Sequence, residues 1–239
     1  MKSTYLLLDI GTILFPLLLS FDKKVAFWRK WKFLFPAMIL VAIFFLVWDY
    51  MFTLWGVWGF TPAYITGAYL GNLPLEEVTF FLVVPYACVF VYECLKVYFP
   101  SDPLRNIYKG IHVALMLLMA MALIFYSDRL YTAVTAMLLL FFLLMHSWVW
   151  RSKYLSFFYL AWIICIVPML VVNGVLTALP VVWYEPAEQI GQRLGTIPVE
   201  DFFYNMLCML MNIGIYERLQ RMKKPARQEL VEEPKAQAS

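Results

Sequence analysis

Two pairs of adjacent acidic residues stand at the start of long apolar stretches, and each pair follows a proline. The two motifs read Pro74-Leu75-Glu76-Glu77 and Pro198-Val199-Glu200-Asp201. Two carboxyl groups held close together in an apolar setting do not both ionise readily, so one stays protonated as an acid while the other is available as a base. Paired carboxyl groups of this kind are typical of general acid–base catalysis.

The same motifs also suit a purely structural role. Proline is favoured in the first turn of a helix, and the helix dipole favours acidic side chains there. The repetition of the motif, and other polar residues at the same depth, favour catalysis. Asp49 is expected to face the interior of a helix bundle, because intramembrane acids rarely face lipid. Asp9 is expected to be a shallow residue near the terminus.

The composition is that of a membrane protein. Of the 239 residues 63% are apolar, and the mean hydropathy is +0.73, whereas soluble domains are nearer half apolar. Apolar stretches able to cross about 30 Å of hydrocarbon occur at residues 4–20, 33–54, 76–98, 111–126, 130–146, 154–178 and 200–217. The sequence therefore predicts an all-α, polytopic membrane protein with seven transmembrane helices.

Basic residues set the predicted orientation. All but Lys2, Arg129 and Arg193 of the 19 lysines and arginines lie in or beside the predicted loops 1–2, 3–4 and 5–6 or in the C-terminal tail. By the positive-inside rule, the N-terminus is then outside the cell membrane and the C-terminus is cytoplasmic. Residues 221–239 are charged and lack aromatic side chains, which predicts a disordered cytoplasmic tail.

An internal repeat relates the two motifs at an offset of 124 residues. It carries Asp49, Gly67, Gly71, Pro74, Glu76 and Tyr92-Glu93 onto Asn173, Gly191, Gly195, Pro198, Glu200 and Tyr216-Glu217. The repeat predicts two parallel three-helix units at residues 1–98 and 129–220, joined by a linker and a fourth helix at 99–128. A pseudo-twofold axis along the membrane normal would bring both acidic motifs to the same depth.

Glu93 and its repeat partner Glu217 are interpreted as structural residues. Glu93 lies 17 residues beyond Glu76, which is about 25 Å along a helix. It therefore belongs to the opposite end of the bundle from the acidic motifs.

Aromatic residues crowd the loops between the second and third helices of each repeat. They are Trp55, Trp58, Phe60 and Tyr64 in the first repeat and Trp183 in the second. They form either an ordinary aromatic belt at the membrane boundary or the lining of a pocket that stabilises a cation.

The paired P-x-E-E/D motifs, the aromatic loops and the three-helix repeat resemble the integral-membrane lycopene cyclases of the heterodimer type, whose two small subunits each carry one such domain. The chain resembles a single-chain form with both domains fused, over about residues 1–220. The resemblance implies an isomerase of carotenoid biosynthesis, a lycopene β-cyclase that converts the ψ-ends of lycopene to ionone rings through γ-carotene to β-carotene. A carboxylic acid would protonate a terminal double bond, the ring would close through a carbocation, and a base would remove a proton. The choice between a β and an ε ring depends on which carbon loses that proton, and it stays open.

The resemblance and the repeated acids together indicate the site. The expected catalytic residues are Glu76 or Glu77 as the acid, with Glu200, Asp201 and Asp49 as base or electrostatic partners. The expected substrate-binding residues are Trp55, Trp58, Phe60, Tyr64, Asn173 and Trp183. Because the reaction involves no net redox change, neither a cofactor nor a metal is expected. The expected partners are lycopene or a related acyclic carotene reaching the site from the bilayer, membrane lipid and other carotenoid enzymes, but not nucleic acid.

Two other classes of protein fit part of the pattern. Repeats with acids at one depth also suit a proton- or ion-coupled transporter, although the acids here lie near one face and not at the midplane. A structural or assembly subunit is the third possibility. Because the second motif ends in Asp201 and Asn173 replaces an acid, the two halves are expected to differ in catalysis, with the first half the better source of the proton.

Overall fold

The computed structural model describes residues 2–99, 101–150, 152 and 154–236, with side chains described as far as residue 223. Within these residues the chain forms seven α-helices: α1 (Thr4–Leu19), α2 (Trp31–Trp55), α3 (Leu75–Tyr98), α4 (Tyr108–Phe125), α5 (Leu130–Leu144), α6 (Leu155–Ala178) and α7 (Val199–Ala236). Each predicted apolar stretch corresponds to one of these helices. Apart from the end of α7, the predicted and observed ends agree to within three residues.

Five helical segments of the described chain are long and apolar enough to cross a membrane, judged by length and composition. They are Phe27–Trp55, Leu75–Tyr98, Tyr108–Phe125, Leu130–Val149 and Leu155–Ala178. The first of these adds a 3-10 turn before α2, and the fourth adds a π-helical turn (Met145–Val149) after α5. The shorter α1 is also apolar. The chain is therefore a helical membrane protein, while its seven-span topology stays a prediction.

The two repeats interlock. The first helix of each repeat packs against the third helix of the same repeat, α1 on α3 and α5 on α7. The middle helix of each repeat also packs against the third helix of the other, α2 on α7 and α6 on α3. This exchange follows a pseudo-twofold relation, and it places α3 and α7 at the centre of the bundle. The end of the bundle where α3 and α7 begin is called the acid end below, and the opposite end the tail end.

Six short strands, which the all-α prediction did not include, lie at the acid end of the described chain. They are β1 (Trp58–Phe60), β2 (Tyr69–Leu70), β3 (Leu73–Pro74), β4 (Val182–Tyr184), β5 (Arg193–Leu194) and β6 (Ile197–Pro198). Backbone polar groups at a membrane boundary need partners, and these strands provide them. β1 pairs with β4 and joins the repeats, whereas β2–β3 and β5–β6 are local hairpins.

The β1–β4 pair marks the pseudo-twofold axis. Gly59 lies opposite Trp183 in the antiparallel register, and these two residues are related by the repeat offset. A residue that pairs with its own repeat equivalent lies on the axis. A Cβ atom on Gly59 would stand 2.4 Å from Cζ2 of Trp183, so the indole ring rests directly on this glycine.

The two hairpins begin α3 and α7 in the same way. Gly71 and Gly195 turn the chain with φ of 65° and 63°, in the left-handed region that favours glycine. The prediction that Pro74 lies in the first turn of its helix is wrong by one residue. Pro74 has an extended ψ of 147° and pairs with Tyr69, so α3 begins at Leu75; Pro198 likewise lies in β6 before α7.

The end of α7 differs from the prediction. The helix runs to Ala236, past the predicted end at residue 217, while the disorder of residues 221–239 stays a prediction. Residues 237–239 lie outside the described residues, as do the side chains of 224–236. Arg151 and Lys153, which contributed to the predicted orientation, lie outside them as well.

Candidate active site

A cavity of about 580 Å³ lies at the acid end, between helices of both repeats. Asp49 of α2, Glu77 of α3 and Asp201 of α7 line it, together with the amide of Asn173 in α6. Most of the other lining side chains are apolar or aromatic. A concave, mostly apolar cavity with a few converging polar groups is the usual form of a small-molecule site.

Glu77 is the third residue of α3 and is buried. Its Oε2 atom accepts a short hydrogen bond from the Tyr5 hydroxyl of α1. Asp49 is buried and lies close enough to Glu77 to interact with it electrostatically. The Trp58 side chain is a hydrogen-bond partner of Asp49, but Asp49 Oδ2 has no such partner among the described residues. Two buried carboxyl groups of the first repeat thus interact electrostatically.

Asp201 is the third residue of α7 and has a different environment. Its Oδ1 accepts a hydrogen bond from the Tyr131 hydroxyl at 2.7 Å, and its Oδ2 accepts from the Tyr184 hydroxyl at 2.9 Å and from Asn173 Nδ2 at 3.4 Å. Tyr184 belongs to β4, outside the membrane helices. Burial, and next the Asp201 carboxylate, raise the pKa of Tyr184 well above its ordinary value of 10.0, so its hydroxyl keeps the proton that it donates.

The first acid of each motif binds the loop that precedes the hairpin instead of facing the cavity. Glu76 Oε1 accepts the backbone N–H of Thr66 at 2.6 Å. Glu200 Oε1 accepts the backbone N–H of Ile190 at 2.7 Å, which is the same bond at the repeat offset. Neighbouring residues of a helix point about 100° apart. The first acid therefore turns towards the loop when the second turns into the bundle.

Three of the six predicted substrate-binding residues line the cavity: Trp58, Phe60 and Asn173. Among the described residues, Trp55, Tyr64 and Trp183 are not part of the lining. Trp55 and Trp183 are 57% and 43% exposed, as residues of a membrane-boundary aromatic belt would be. Tyr64 packs instead against a small apolar cluster around Tyr5 and Ile65.

Asp9 is not the shallow residue that its place near the terminus indicated. It is 3% exposed, and its Oδ2 accepts a hydrogen bond from Thr79 Oγ1 at 2.6 Å. The first turns of α1 lie against α3, so a residue near the chain terminus is still interior. Asp9 is not part of the cavity lining within the described chain.

The sequence reasoning missed the tyrosines of the site. Tyr5 and Tyr131 are each the second residue of the first helix of their repeat, and each donates to the second acid of that repeat. Their spacing is 126 residues, two more than the offset of the motifs, because the connections within the two repeats differ in length. A single fixed offset therefore does not relate Tyr5 to Tyr131.

Four aromatic rings form a cluster along the cavity beside Asp201. The centroid of Trp58 lies 5.0 Å from that of Tyr131, 6.3 Å from that of Tyr184 and 6.2 Å from that of Tyr204. Tyr131 and Tyr184 stack with 10° between their planes. All four residues line the cavity. Aromatic faces attract cations, and the attraction is worth about 2 kcal/mol or more where water is excluded.

At the tail end, the repeat-related Tyr-Glu pairs exchange hydrogen bonds across α3 and α7. Tyr92 donates to Glu217 Oε1 at 2.7 Å, and Tyr216 donates to Glu93 Oε1 at 2.8 Å. Lys96 bridges the two glutamates, at 3.0 Å from Glu93 and 2.7 Å from Glu217. This reciprocal arrangement at the far end from the cavity is in keeping with a structural role for both glutamates.

A sequence model described as lycopene cyclase matches residues 2–95 and 128–219. The two matched segments cover the three helices of each repeat, apart from the last residues of α3 and the end of α7, and leave out α4. Searches of curated proteins and of solved structures find no match to the chain.

Proposed function

The chain belongs to the lycopene cyclase family, and from that premise we propose that it converts the ψ-ends of lycopene to ionone rings, giving γ-carotene and then β-carotene. Family membership assigns the chain to carotenoid biosynthesis as a membrane-bound cyclase. The observation that carries the reaction is the meeting of Glu77, Asp49 and Asp201 in one mostly apolar cavity.

Glu77 is proposed as the proton donor. Among the described residues Tyr5 donates a hydrogen bond to it, and the carboxyl group of Asp49 interacts with it electrostatically. Two neighbouring carboxyl groups with little solvent share a proton more readily than they ionise together. Glu77 can then pass its proton to the terminal double bond of a ψ-end held in the cavity, and the positive charge that forms on the substrate balances the negative charge left on the pair of Glu77 and Asp49.

Asp201 is proposed as the base. Three donors, two of them tyrosine hydroxyls, satisfy its two oxygens, and hydrogen bonds to a carboxylate favour the charged form. A carboxylate in this position can remove the proton that completes the ring.

The aromatic cluster is proposed to stabilise the intermediate cation. Trp58, Tyr131, Tyr184 and Tyr204 present ring faces and edges to the cavity, and ring faces attract a positive charge. The apolar walls exclude water, which would otherwise capture the carbocation. One proton enters the substrate and one leaves it, so the reaction is an isomerisation that needs neither an oxidant nor a cofactor.

The remaining features of the proposal concern the membrane. The distribution of lysine and arginine supports a protein of the cell membrane with the N-terminus outside and the C-terminus in the cytoplasm. The carotene would reach the cavity from the bilayer. A proton- or ion-coupled transporter is not favoured, because the family is one of cyclases.

The proposal is tested by expressing the chain in bacteria that accumulate lycopene and separating their carotenoids by chromatography. We expect cyclic carotenes to replace lycopene with the unmodified chain. We expect Glu77→Gln to lower the conversion by about 100-fold or more, the usual contribution of a general acid or base. An unchanged lycopene peak despite membrane-inserted unmodified protein would contradict the proposed function.

A further inference from the structure

The pseudo-twofold axis raises the question of how many substrate cavities the bundle contains. It relates the space between α1 and α6, the α1–α6 crevice, to the space between α5 and α2, the α2–α5 crevice. If the side chains had the same symmetry as the backbone, each crevice would lead to the second acid of one motif, Glu77 or Asp201. The side chains lack this symmetry.

On the α6 side, the wall of the cavity is aliphatic. Met169, Val172 and Leu176 of α6 line the cavity at successive turns of the helix. These side chains leave room for a ligand between α6 and α1.

On the α2 side, the positions related by the 124-residue offset hold three large aromatic residues: Phe45, Trp48 and Phe52. They are 0%, 7% and 2% exposed. The rings of Phe45 and Trp48 lie 5.0 Å and 4.9 Å from the ring of Tyr204, and the ring of Phe52 lies 4.8 Å from that of Trp58. At such separations the rings are in contact, so they fill the counterpart of the cavity.

The α1–α6 crevice reaches the outer surface of the bundle. Leu7 and Phe15 of α1 and Val171 of α6 line the cavity, yet they are 62%, 68% and 63% exposed. Leu7 and Phe15 are eight residues apart, so the rim extends about 12 Å along the helix. Gly11, between them, also lines the cavity. Apolar side chains exposed on the flank of a membrane protein face hydrocarbon, and the cavity therefore opens to the bilayer.

We infer that the protein has a single reaction cavity, opened to the bilayer through the α1–α6 crevice, and that it cyclises one ψ-end of an acyclic carotene in each binding event. The inference rests on the proposed function. A conjugated polyene is stiff and extended, so its two ends cannot occupy one cavity together. The monocyclic carotene must therefore leave and return with its other end before a second ring forms. Each event takes one proton from Glu77 and delivers one to Asp201, so the net proton count is unchanged, and a proton must pass back from Asp201 to Glu77 before the next end reacts.

The crevice itself is tested by copying the aromatic residue of α2 onto α6. Val172→Trp places at the α6 position the side chain that Trp48 provides at the matching α2 position, and we expect it to lower lycopene conversion at least 10-fold. Val167→Trp is the control, because Val167 is 67% exposed on the same helix and is not part of the described cavity lining. Equal conversion by the two variants would overturn the inference.

A second pair of variants covers the case in which Val172→Trp does not fold. Gly11→Phe narrows the rim at a residue whose added Cβ atom would meet nothing within 4 Å, and Gly110→Phe is the control at an equally open glycine of α4. We expect Gly11→Phe to lower conversion at least 10-fold relative to Gly110→Phe. Equal conversion by these two folded variants would count against the crevice.

The number of ends per binding event is tested with purified protein in lipid vesicles that contain isotopically labelled lycopene. Excess unlabelled lycopene is added when the first monocyclic carotene appears. We expect the label to remain mainly in γ-carotene, since released monocyclic carotene competes with the added lycopene. If the label passes into bicyclic carotene without dilution by the added lycopene, the inference is overturned while the proposed function stands. Absence of any conversion by the unmodified chain would contradict the proposed function, and the inference with it.

Discussion

Glu77 and Asp201 are repeat equivalents that line one cavity, and each accepts a hydrogen bond from the tyrosine at the second position of its repeat's first helix. Their other partners differ. Asp49 interacts electrostatically with Glu77, whereas its repeat equivalent Asn173 donates a hydrogen bond to Asp201. Tyr184 also donates a hydrogen bond to Asp201, but its repeat equivalent is Phe60, which has no hydroxyl group. The backbone is thus symmetric while the chemistry is not, and this asymmetry underlies the separate roles proposed for the two acids.

The first acids should be dispensable for chemistry. Glu76→Gln and Glu200→Gln keep a carbonyl oxygen that can accept the loop N–H of Thr66 or Ile190, so we expect both variants to retain cyclisation within a few-fold of the unmodified chain. Asp201→Asn removes a base that faces the cavity, and we expect a loss of about 100-fold or more. Carotenoid chromatography at matched protein levels measures both. A loss of activity for Glu76→Gln as large as that for Glu77→Gln would contradict the division of roles.

Tyr184 should act on the base by positioning it. Tyr184→Phe removes one hydrogen bond to a charged acceptor, worth about 1.5–3 kcal/mol, and we expect the cyclisation rate to fall about 10-fold or more. Tyr64→Phe, in the matching loop but away from the cavity lining described here, is the control. The pKa of Tyr184 in the folded protein is raised above its ordinary value of 10.0. Its hydroxyl therefore keeps its proton below pH 10 and loses it only when the pH reaches the raised pKa. The rate ratio of unmodified chain to variant should then be constant below pH 10 wherever the Asp201 carboxyl is ionised in both proteins, and a ratio that falls towards 1 in that range would contradict the assignment.

The tail-end cluster should contribute to stability and not to catalysis. Glu93 is fully buried and faces both Lys30 and Lys96, whereas Glu217 is 12% exposed and faces Lys96. Removing one partner of a buried ion pair costs about 3–5 kcal/mol, less here because the lysine side chains are 30% exposed. We expect Glu93→Gln to lower the melting temperature in detergent more than Glu217→Gln does. The rate per folded molecule should be unchanged in both, and a specific loss of rate in Glu93→Gln would assign it a part in the reaction.

Gly214 should be intolerant of a methyl group although it lies within a helix. An added Cβ atom would stand 2.7 Å from His146 Nε2 and 2.7 Å from Trp150 Cζ3, where α7 packs against the end of α5. We expect Gly214→Ala to destabilise the protein by about 1–3 kcal/mol. Gly174→Ala, at an open helical position, should instead stabilise by about 0.5–1 kcal/mol through helix propensity. Thermal unfolding in one detergent measures both, and equal melting temperatures would show that α7 can shift away from α5.

Local features of the sequence were enough to predict the elements of the fold. Hydropathy determines where helices cross a bilayer, because every backbone polar group there must be bonded within its own segment. The starts of α1 to α7 therefore fall within three residues of the predicted ones. The 124-residue repeat likewise predicted that the two acidic motifs lie at the same depth, and matched hairpins do begin the matched helices α3 and α7 at one end of the bundle.

The sequence by itself determined the family, the helices and the two pairs of acids, whereas only the tertiary structure decided which acid of each pair faces the cavity. That choice depends on the rotation of α3 and α7, and moving the helix start by a single residue turns a side chain by about 100°. The packing also decided that Tyr5, Tyr131 and Tyr184 bind the second acids and that aromatic rings fill one crevice and leave the other open. These relations join residues distant in sequence through contacts that no local pattern encodes.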